Sequence, residues 1–262
     1  MSKIKKERID LLLVKRGMVQ SRERAQAVIM AGKVFVDGRR VEKAGQQVTA
    51  EAEIELKGPD HPYVSRGGVK LEAALKNFKI DPAGRTALDI GSSTGGFTDC
   101  LLQHGASSVI AVDVGRGLID YKLRTDERVK LIENLNARYI TMDDIGQKVD
   151  IIVIDVAFIS LTLIIPALPP LLKPEGVFIP LVKPQFEVGR EEVEKGGIIR
   201  SKDKHLAVLK KIILCAEECG FRCEGFTPSP IEGNKGNREF FLKFLLSDKQ
   251  SGYTLEDLER DV

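Results

Sequence analysis

The chain has 262 residues, 43% of them hydrophobic and 30% charged, a balance typical of folded globular proteins and not of disordered or fibrous ones. This length favours two domains, and four cysteines are too few for a disulfide framework. The net charge is only +2, but residues 1–43 carry twelve Lys or Arg against five acids, a local +7 that leaves −5 elsewhere. We therefore expect a cytoplasmic protein whose basic N-terminal end contacts a polyanion.

The first 56 residues predict two helices followed by a β-hairpin. Apolar residues at helical spacing stop before Gly17, and Ser21 is placed to cap a second helix that ends near Gly32. Alternating valines then lead into Asp37-Gly38, a strong signal for a two-residue hairpin turn. A stretch rich in proline and glycine, 57–68, separates this segment from the remainder.

From residue 69 onwards, helices alternate with short apolar strands. We predict helices over 69–79, 95–104, 117–124, 160–172 and 202–219, and strands over 86–90, 108–113, 128–133, 149–155, 176–183, 222–229 and 238–246. The strands are continuous apolar runs where half-exposed strands would alternate, so helices should cover both faces of a parallel, doubly wound sheet. Ligands of such sheets bind at the carboxyl ends of the strands.

A glycine-rich turn, LDIGSSTGGFTD, follows the first strand of this region. It lacks the Lys-Ser/Thr of a phosphate loop, and its acid, Asp89, would repel a pyrophosphate but suits a cationic amino-acid ligand. Asp113 ends the next strand, where a carboxylate can accept from two ribose hydroxyls. Together they predict an S-adenosylmethionine site, although a tight turn with a helix-capping Asp113 is the alternative. The predicted cofactor residues here are Asp89, Gly91, Ser92, Ser93, Gly95, Gly96, Phe97 and Asp113.

Two further strands end in opposite charges, Asp155 and Lys183. A buried charge pair adds little net stability, so its position at the ligand-binding edge favours chemistry over a structural ion pair. The run after Asp155 is Val-Ala-Phe and lacks the Pro-Pro-aromatic motif of amino-group methylation, and the chain has no Pro-Cys for carbon-5 methylation. A hydroxyl acceptor such as a ribose 2′-OH fits best, with the lysine helping it to lose its proton.

The N-terminal segment resembles the S4 RNA-binding domain in the spacing of Arg8-Ile9-Asp10, Leu13, Gly17, Ser21-Arg22, Ala25, Ile29, Gly32, Val34, Val36, Gly38 and Val41. The rest resembles the FtsJ-like ribose methyltransferases, and the motifs YVSRGGVKL and LDIGSSTGGFTD are similar to those of the TlyA, or hemolysin A, family. This resemblance implies an α/β fold in which a small α+β S4-like domain precedes a Rossmann-like class I methyltransferase domain. Its mostly parallel sheet would have seven strands, the last of them antiparallel.

The resemblance also implies a function and a set of site residues. The activity would be S-adenosylmethionine-dependent 2′-O-methylation of ribosomal RNA, at cytidine, on free RNA or a ribosomal subunit, without DNA or membrane as partner. The Lys-Asp-Lys-Glu tetrad of FtsJ-like enzymes corresponds to Lys70, Asp155, Lys183 and Glu239, and Asn136 lies where related enzymes contact the cofactor. The implied domains are 1–58 (S4-like), 59–68 (linker), 69–247 (methyltransferase) and 248–262 (tail).

The candidate RNA-contact residues are cations of the N-terminal segment and the linker, which could also form an ordinary solvated face. They are Arg8, Lys15, Arg16, Arg22, Arg24, Lys33, Arg39, Arg40 and Arg66. The three closely spaced cysteines, Cys215, Cys219 and Cys223, are interpreted as packing thiols, and we predict no metal site. Two rival functions stay open: a membrane-lytic protein, suggested by the apolar stretch 151–172, and a non-catalytic RNA-binding factor.

Overall fold

The computed structural model describes residues 6–19, 21–30, 32–56, 61–189, 191, 197–233, 236–247 and 252–262. The chain divides into two compact units, Met1–Ser65 and Arg66–Val262. The smaller unit contains β1 (Lys6–Arg8), α1 (Ile9–Lys15), α2 (Arg22–Met30), β2 (Val34–Val36), β3 (Arg39–Arg40), β4 (Gln47–Thr49) and β5 (Ile54–Leu56).

The smaller unit has the two predicted helices and the predicted hairpin. The Ser21 Oγ accepts from the backbone N–H of Arg24 at 3.2 Å, which caps α2. Asp37 and Gly38 have φ values of +50° and +76°, as a two-residue hairpin turn between twisted strands requires. Strands β1, β4 and β5 were not predicted; β4 pairs with β1, and β5 pairs with β2, both antiparallel. Both helices pack apolar faces on one core that includes Ile9, Leu13, Ala25, Ile29 and Val34.

The larger unit is built on the predicted seven-stranded sheet. Its strands are β6 (Thr86–Ile90), β7 (Ser108–Val112), β8 (Val129–Ile132), β9 (Val149–Ile154), β10 (Leu172–Val182), β11 (Phe221–Pro228) and β12 (Phe240–Leu246). Their spatial order is β11-β12-β10-β9-β6-β7-β8. Strand β12 runs antiparallel to both of its neighbours, and β6 to β10 are parallel. The predicted α/β class with an antiparallel last strand is therefore confirmed.

Helices pack on the sheet, which explains why its central strands are apolar on both faces. They are α3 (Arg66–Asn77), α4 (Gly96–Gln103), α5 (Tyr121–Arg124), α6 (Met142–Ile145), α7 (Pro184–Glu187), α8 (Lys202–Glu218) and α9 (Leu255–Asp261). In β9, Ile151, Ile152, Val153 and Ile154 are all fully buried.

Two predicted helices are wrong in extent. The segment predicted as one helix over 160–172 forms three 3-10 turns, Leu161–Leu163, Ile165–Ala167 and Pro169–Leu171, and then enters β10. Proline has no backbone N–H and fits only in the first turn of a helix. Each of the two 3-10 turns that contain proline therefore begins within one residue of a proline and does not continue the turn before it. The helix predicted over 117–124 begins only at Tyr121, where the Asp120 side chain caps it.

The ends of the predicted domains also differ from the observed elements. Helix α3 begins at Arg66, so the last three residues of the predicted linker are helical, while residues 59 and 60 lie outside the described residues. In the predicted tail, 248–251 lie outside the described residues and α9 follows, with Leu258 fully buried in the main core. A Thr254–Asp257 capping box starts this helix.

Within the part of the chain that the structure describes, no helix combines the length and apolarity that crossing a bilayer requires. The stretch 151–172 consists of the end of β9, a loop and the three 3-10 turns, and its last residue begins β10.

Candidate active site

The site forms where β6, β7, β9 and β10 end at the same edge of the sheet. Gly91 follows β6 with φ +81°, and a Cβ placed on it would lie 2.5 Å from the backbone oxygen of Asp155. Only glycine allows this backbone conformation and so close an approach between the ends of β6 and β9. The backbone N–H of Asp155 donates to the carbonyl of Ile90 at 3.0 Å, which fixes Asp155 at this edge.

A cavity of about 650 Å³ opens at this edge, within the size range of sites for small-molecule cofactors. Its polar lining includes five predicted site residues: Ser93, Asp113, Asn136, Asp155 and Lys183. Gly91 contributes backbone, and the remaining walls are mainly apolar, from Val112, Val114, Leu118, Leu135, Ala137, Val156, Ala157, Phe158, Ile159 and Ile164.

Asp113 is held rigidly at the end of β7. Its Oδ2 accepts from the backbone N–H of Ser93 at 2.8 Å, and its Oδ1 accepts from that of Gly115 at 2.7 Å. A carboxylate has about four acceptor positions, so each oxygen can still accept from a ligand hydroxyl. The Asn136 side-chain oxygen accepts from the backbone N–H of Arg138 at 3.1 Å, which caps a 3-10 turn and orients the amide beside the cavity.

The other predicted cofactor residues do not line the cavity. Ser92, Gly96 and Phe97 are buried beneath the turn, and the Phe97 ring packs against Phe241 with centroids 6.1 Å apart. Gly95 caps α4 in a left-handed conformation. These four shape the turn, so any contact that they make with a cofactor stays a prediction.

Asp89 is fully buried at the base of this turn. Its Oδ2 accepts from Thr98 Oγ1 at 2.6 Å, whereas Oδ1 has no hydrogen-bond partner among the described residues. Burial raises the pKa of Asp89 to about 7, and the charges of Asp155 and Asp113 act in the same direction. A positively charged ligand in the neighbouring cavity would relieve this unfavourable environment.

The four predicted catalytic residues form two ion pairs at the same sheet edge. Lys183 Nζ lies 2.5 Å from Asp155 Oδ1, and Lys70 Nζ lies 2.5 Å from Glu239 Oε2. All four side chains are mostly buried, with exposed fractions of 3–22%. The register between β10 and β12 pairs Val182 with Phe240. Lys183, just after β10, and Glu239, just before β12, therefore emerge side by side.

Several cations of the smaller unit contact other groups of that unit. The guanidinium of Arg8 donates to both oxygens of the buried Asp10 at 3.0 and 2.8 Å, and Arg22 Nε donates to Oδ2 at 3.1 Å. Arg16 donates to the backbone oxygens of Ala52 and Ala50 at 2.8 and 2.5 Å, and Lys15 pairs with Glu7 at 2.9 Å. Arg24, Arg39 and Arg40 are exposed, as are Lys15, Arg16 and Arg22, and Lys33 is half-buried. In the larger unit, Arg66 donates to the backbone oxygen of Glu232 at 3.0 Å.

Sequence reasoning missed an aromatic pair and a buried acid beside the cavity. Phe158 is 90% exposed, has φ +65°, and lies against Phe186 with ring centroids 5.0 Å apart. Glu187 is only 6% exposed and contacts Ser160 and Leu161. The spacing Asp-x-x-Phe and Lys-x-x-Phe in 155–158 and 183–186 is the one signal that could have indicated the pair.

Comparisons with known proteins bear on the identity of this fold and site. A family model described as FtsJ-like methyltransferase matches residues 63–245, and the S4 domain matches residues 7–54. The chain belongs to the TlyA, or hemolysin A, family of FtsJ-like methyltransferases. Both predicted domains of this family are thus confirmed, and the FtsJ-like match contains both ion pairs of the sheet edge.

Individual members of the family cover nearly the whole chain. YqxC of Bacillus subtilis, described as a candidate rRNA methyltransferase, is 48% identical over 91% of this chain and 85% of its own length. The 16S/23S rRNA (cytidine-2′-O)-methyltransferase TlyA of Mycobacterium tuberculosis is 41% identical over 91% of this chain and 89% of its own. A solved structure from Streptococcus thermophilus, described as a candidate hemolysin, is 42% identical, with a TM-score of 0.77 over 98% of this chain and 94% of its own.

Proposed function

We propose that this chain transfers a methyl group from S-adenosylmethionine to the 2′-hydroxyl of a cytidine in ribosomal RNA, in the cytoplasm. The observation that carries the proposal is the Asp155–Lys183 ion pair, whose two members both line the cavity at the carboxyl edge of the sheet. The M. tuberculosis relative with this printed activity supports the acceptor assignment. The S4-like segment would dock the RNA.

The cavity suits S-adenosylmethionine in shape and charge. The carboxylate of Asp113 would accept from the ribose hydroxyls, Asn136 would contact the nucleoside, and the apolar side chains of Val114, Leu118 and Leu135 would enclose the adenine. The buried carboxyl of Asp89, with one oxygen unpartnered among the described residues, favours a ligand that carries positive charge. When bound, the cofactor supplies an electrophilic methyl group on a sulfonium.

The two ion pairs would divide the work on the acceptor ribose. Once its ammonium has released a proton to solvent, Lys183 Nζ would take the proton of the 2′-hydroxyl as the methyl group is transferred, and Asp155, at 2.5 Å, would stabilise the ammonium that forms again. Glu239, which emerges beside Lys183, and its partner Lys70 of α3 would hold the ribose. In-line positioning of the hydroxyl would then lower the barrier to methyl transfer.

The exposed face of Phe158 gives the acceptor base a place to bind. An unstacked base binds RNA-modifying proteins by stacking on aromatic side chains, and Phe158 lines the cavity while 90% of its surface is exposed. The remaining surface of this side chain contacts Phe186, which limits its rotation. We infer that the base of the target nucleotide stacks on Phe158 while its sugar faces Lys183.

The test is methyl transfer from tritiated S-adenosylmethionine to ribosomal RNA, followed by mapping of the labelled nucleotide. We expect K183A to lower transfer by at least about a hundredfold, the scale of a missing general base, while calorimetric affinity for the cofactor changes little. K173A is the matched control, because Lys173 lies near the opposite end of β10 and pairs with Asp150 on the surface. Normal turnover of K183A at saturating substrates would refute the catalytic assignment.

The same preparation also distinguishes the rival functions. A non-catalytic RNA-binding factor would bind ribosomal RNA without labelling it. A membrane-lytic protein would release dye from phospholipid vesicles without any cofactor, and K183A would leave that release unchanged.

A further inference from the structure

Two loops at the sheet edge repeat the same arrangement of residues. The loop after β9 carries Asp155 and, three residues later, Phe158. The segment after β10, called here the loop after β10 although it includes α7, carries Lys183 and, three residues later, Phe186. The charged members meet at 2.5 Å and the aromatic members at a centroid distance of 5.0 Å. Both contacts therefore depend on one relative placement of the two loops.

One buried carboxylate joins these loops. Glu187, the last residue of α7, accepts from Ser160 Oγ at 2.5 Å and from the backbone N–H of Leu161 at 2.8 Å. Its third neighbour is Lys211 of α8, whose Nζ lies 3.8 Å from Oε2 and donates to the backbone oxygen of Glu187 at 2.9 Å. The loop after β9 is thus attached directly to the loop after β10, and through Lys211 to the main helix behind them.

The conformation of Phe158 requires such an attachment. A bulky residue in the left-handed region is strained and persists only when its surroundings enforce this conformation. Phe158 itself is 90% exposed, and Ser160 and Leu161, two and three residues after it, are bound by Glu187.

Burying Glu187 has a cost that an acid without a structural role would avoid. Burial raises the pKa of this carboxyl, against the opposing effects of the Leu161 N–H, Ser160 and Lys211. Glu187 is not among the described residues that line the cavity. The contacts described above all join it to residues that place the site.

We propose that Glu187 is a positioning residue that fixes the Asp155–Lys183 pair and the Phe158–Phe186 pair in a single arrangement. This inference rests on the proposed function for its kinetic consequences, but the clamp that Glu187 forms between the two loops is a property of the protein alone. Removing this clamp would displace the acceptor from the lysine, whereas the proposed cofactor contacts of Asp113 and Asn136 lie on the loops after β7 and β8, outside the clamped pair.

The kinetic test compares E187A, E187Q and S160A with E218A, a matched control at an exposed glutamate on α8. We expect E187A to lower kcat and raise KM for RNA, with at least a thirtyfold loss in kcat/KM and no more than a twofold change in cofactor affinity. In E187Q, the amide oxygen still accepts from Leu161 and the amide nitrogen donates to Ser160, so activity should stay within about threefold of wild type. S160A removes one of the two hydrogen bonds to the Glu187 carboxylate, so its kcat/KM should lie between those of E187A and E187Q.

The structural test needs no catalysis. The chain has no tryptophan, so F158W introduces a single tryptophan at the clamped position, and its emission can be excited apart from that of the four tyrosines. We expect E187A/F158W, but not E187Q/F158W, to differ from F158W in emission maximum and in quenching by acrylamide, without cofactor or RNA. If E187A does not fold, the same emission and quenching are measured in S160A/F158W, which of the two hydrogen bonds to Glu187 loses only the one from Ser160.

The outcomes separate the two proposals. Unchanged quenching together with unchanged kcat/KM in folded E187A would overturn the clamp, as would a loss in E187Q equal to that in E187A. Altered quenching with no methyl transfer in wild-type protein would support the clamp and contradict the proposed function.

Discussion

A fully buried aspartate lies in each of the two units, and the two environments are opposite. Asp10 of the smaller unit is contacted by the guanidinium groups of Arg8 and Arg22, and the hydrogen bond from Arg8 holds the pKa of Asp10 well below its usual range. Asp89 of the larger unit accepts from the hydroxyl of Thr98, and burial raises its pKa to about 7. A buried acid that already has its cations is structural, whereas one without them is suited to a cationic ligand.

The largest expected effect is on the pH dependence of stability at Asp89. Because its folded-state pKa lies above the unfolded value, the folded protein retains a proton that the unfolded chain releases between about pH 4 and pH 7, so stability falls as pH rises through this window. A shift from 3.8 to about 7 corresponds to a loss on the order of 4 kcal/mol. The free energy of unfolding of D89N, measured with urea, should not show this loss between pH 4 and pH 8. Parallel pH profiles for D89N and wild type would contradict the assignment.

The opposite sign is expected at Asp10. Its depressed pKa contributes stability above the unfolded value, near pH 4, and this contribution is lost as pH falls below it. D10N should lower the free energy of unfolding by about 2 kcal/mol at pH 7, because it weakens a buried, charge-assisted hydrogen-bond network. The difference from wild type should shrink in acid, measured by thermal unfolding from pH 3 to pH 7. A deficit that stayed constant over this range would show that the charge of Asp10 is irrelevant.

A smaller effect should appear when ligands of different charge bind to the larger unit. S-adenosylmethionine carries a sulfonium that its demethylated product lacks, so a carboxylate at Asp89 favours the donor by an amount on the order of 1.4 kcal/mol, or tenfold. D89N should therefore lower donor affinity by about tenfold and product affinity hardly at all, measured by calorimetry at pH 8. Equal reductions for both ligands would mean that Asp89 only shapes the turn.

The smallest effects on folding are expected at the exposed cations of the smaller unit. R39A/R40A should leave the unfolding midpoint unchanged but weaken RNA binding, with the slope of log Kd against log salt reduced by about 1 for each phosphate that is no longer neutralised. R8A/R22A, the matched pair around Asp10, should lower the unfolding midpoint. A salt slope unaffected by R39A/R40A would remove these residues from the RNA-contact set.

The sequence pattern predicted most of the larger unit because local rules and tertiary packing agree there. Apolar runs such as VDIIVID can only be central strands, and residues that follow such runs, Asp113, Asp155 and Lys183, must meet at one sheet edge. The pattern failed over 160–172, where apolar periodicity suggested a helix but prolines divided it into separate turns. It also failed for β1, β4 and β5, whose three-residue length carries too little periodicity to detect.

By itself, the sequence determined the order of strands and helices, the glycine turn and the charged residues at strand ends, because these follow from periodicity and backbone conformation. Only the tertiary structure decided which charges meet: Lys70 of α3 and Glu239, just before β12, are 169 positions apart in the chain, yet their side chains form an ion pair. It also decided that Arg8 and Arg22 contact an aspartate, that Phe158 faces solvent, and that Glu187 binds the preceding loop. Such contacts depend on distances between segments remote in the chain, about which local propensity carries no information.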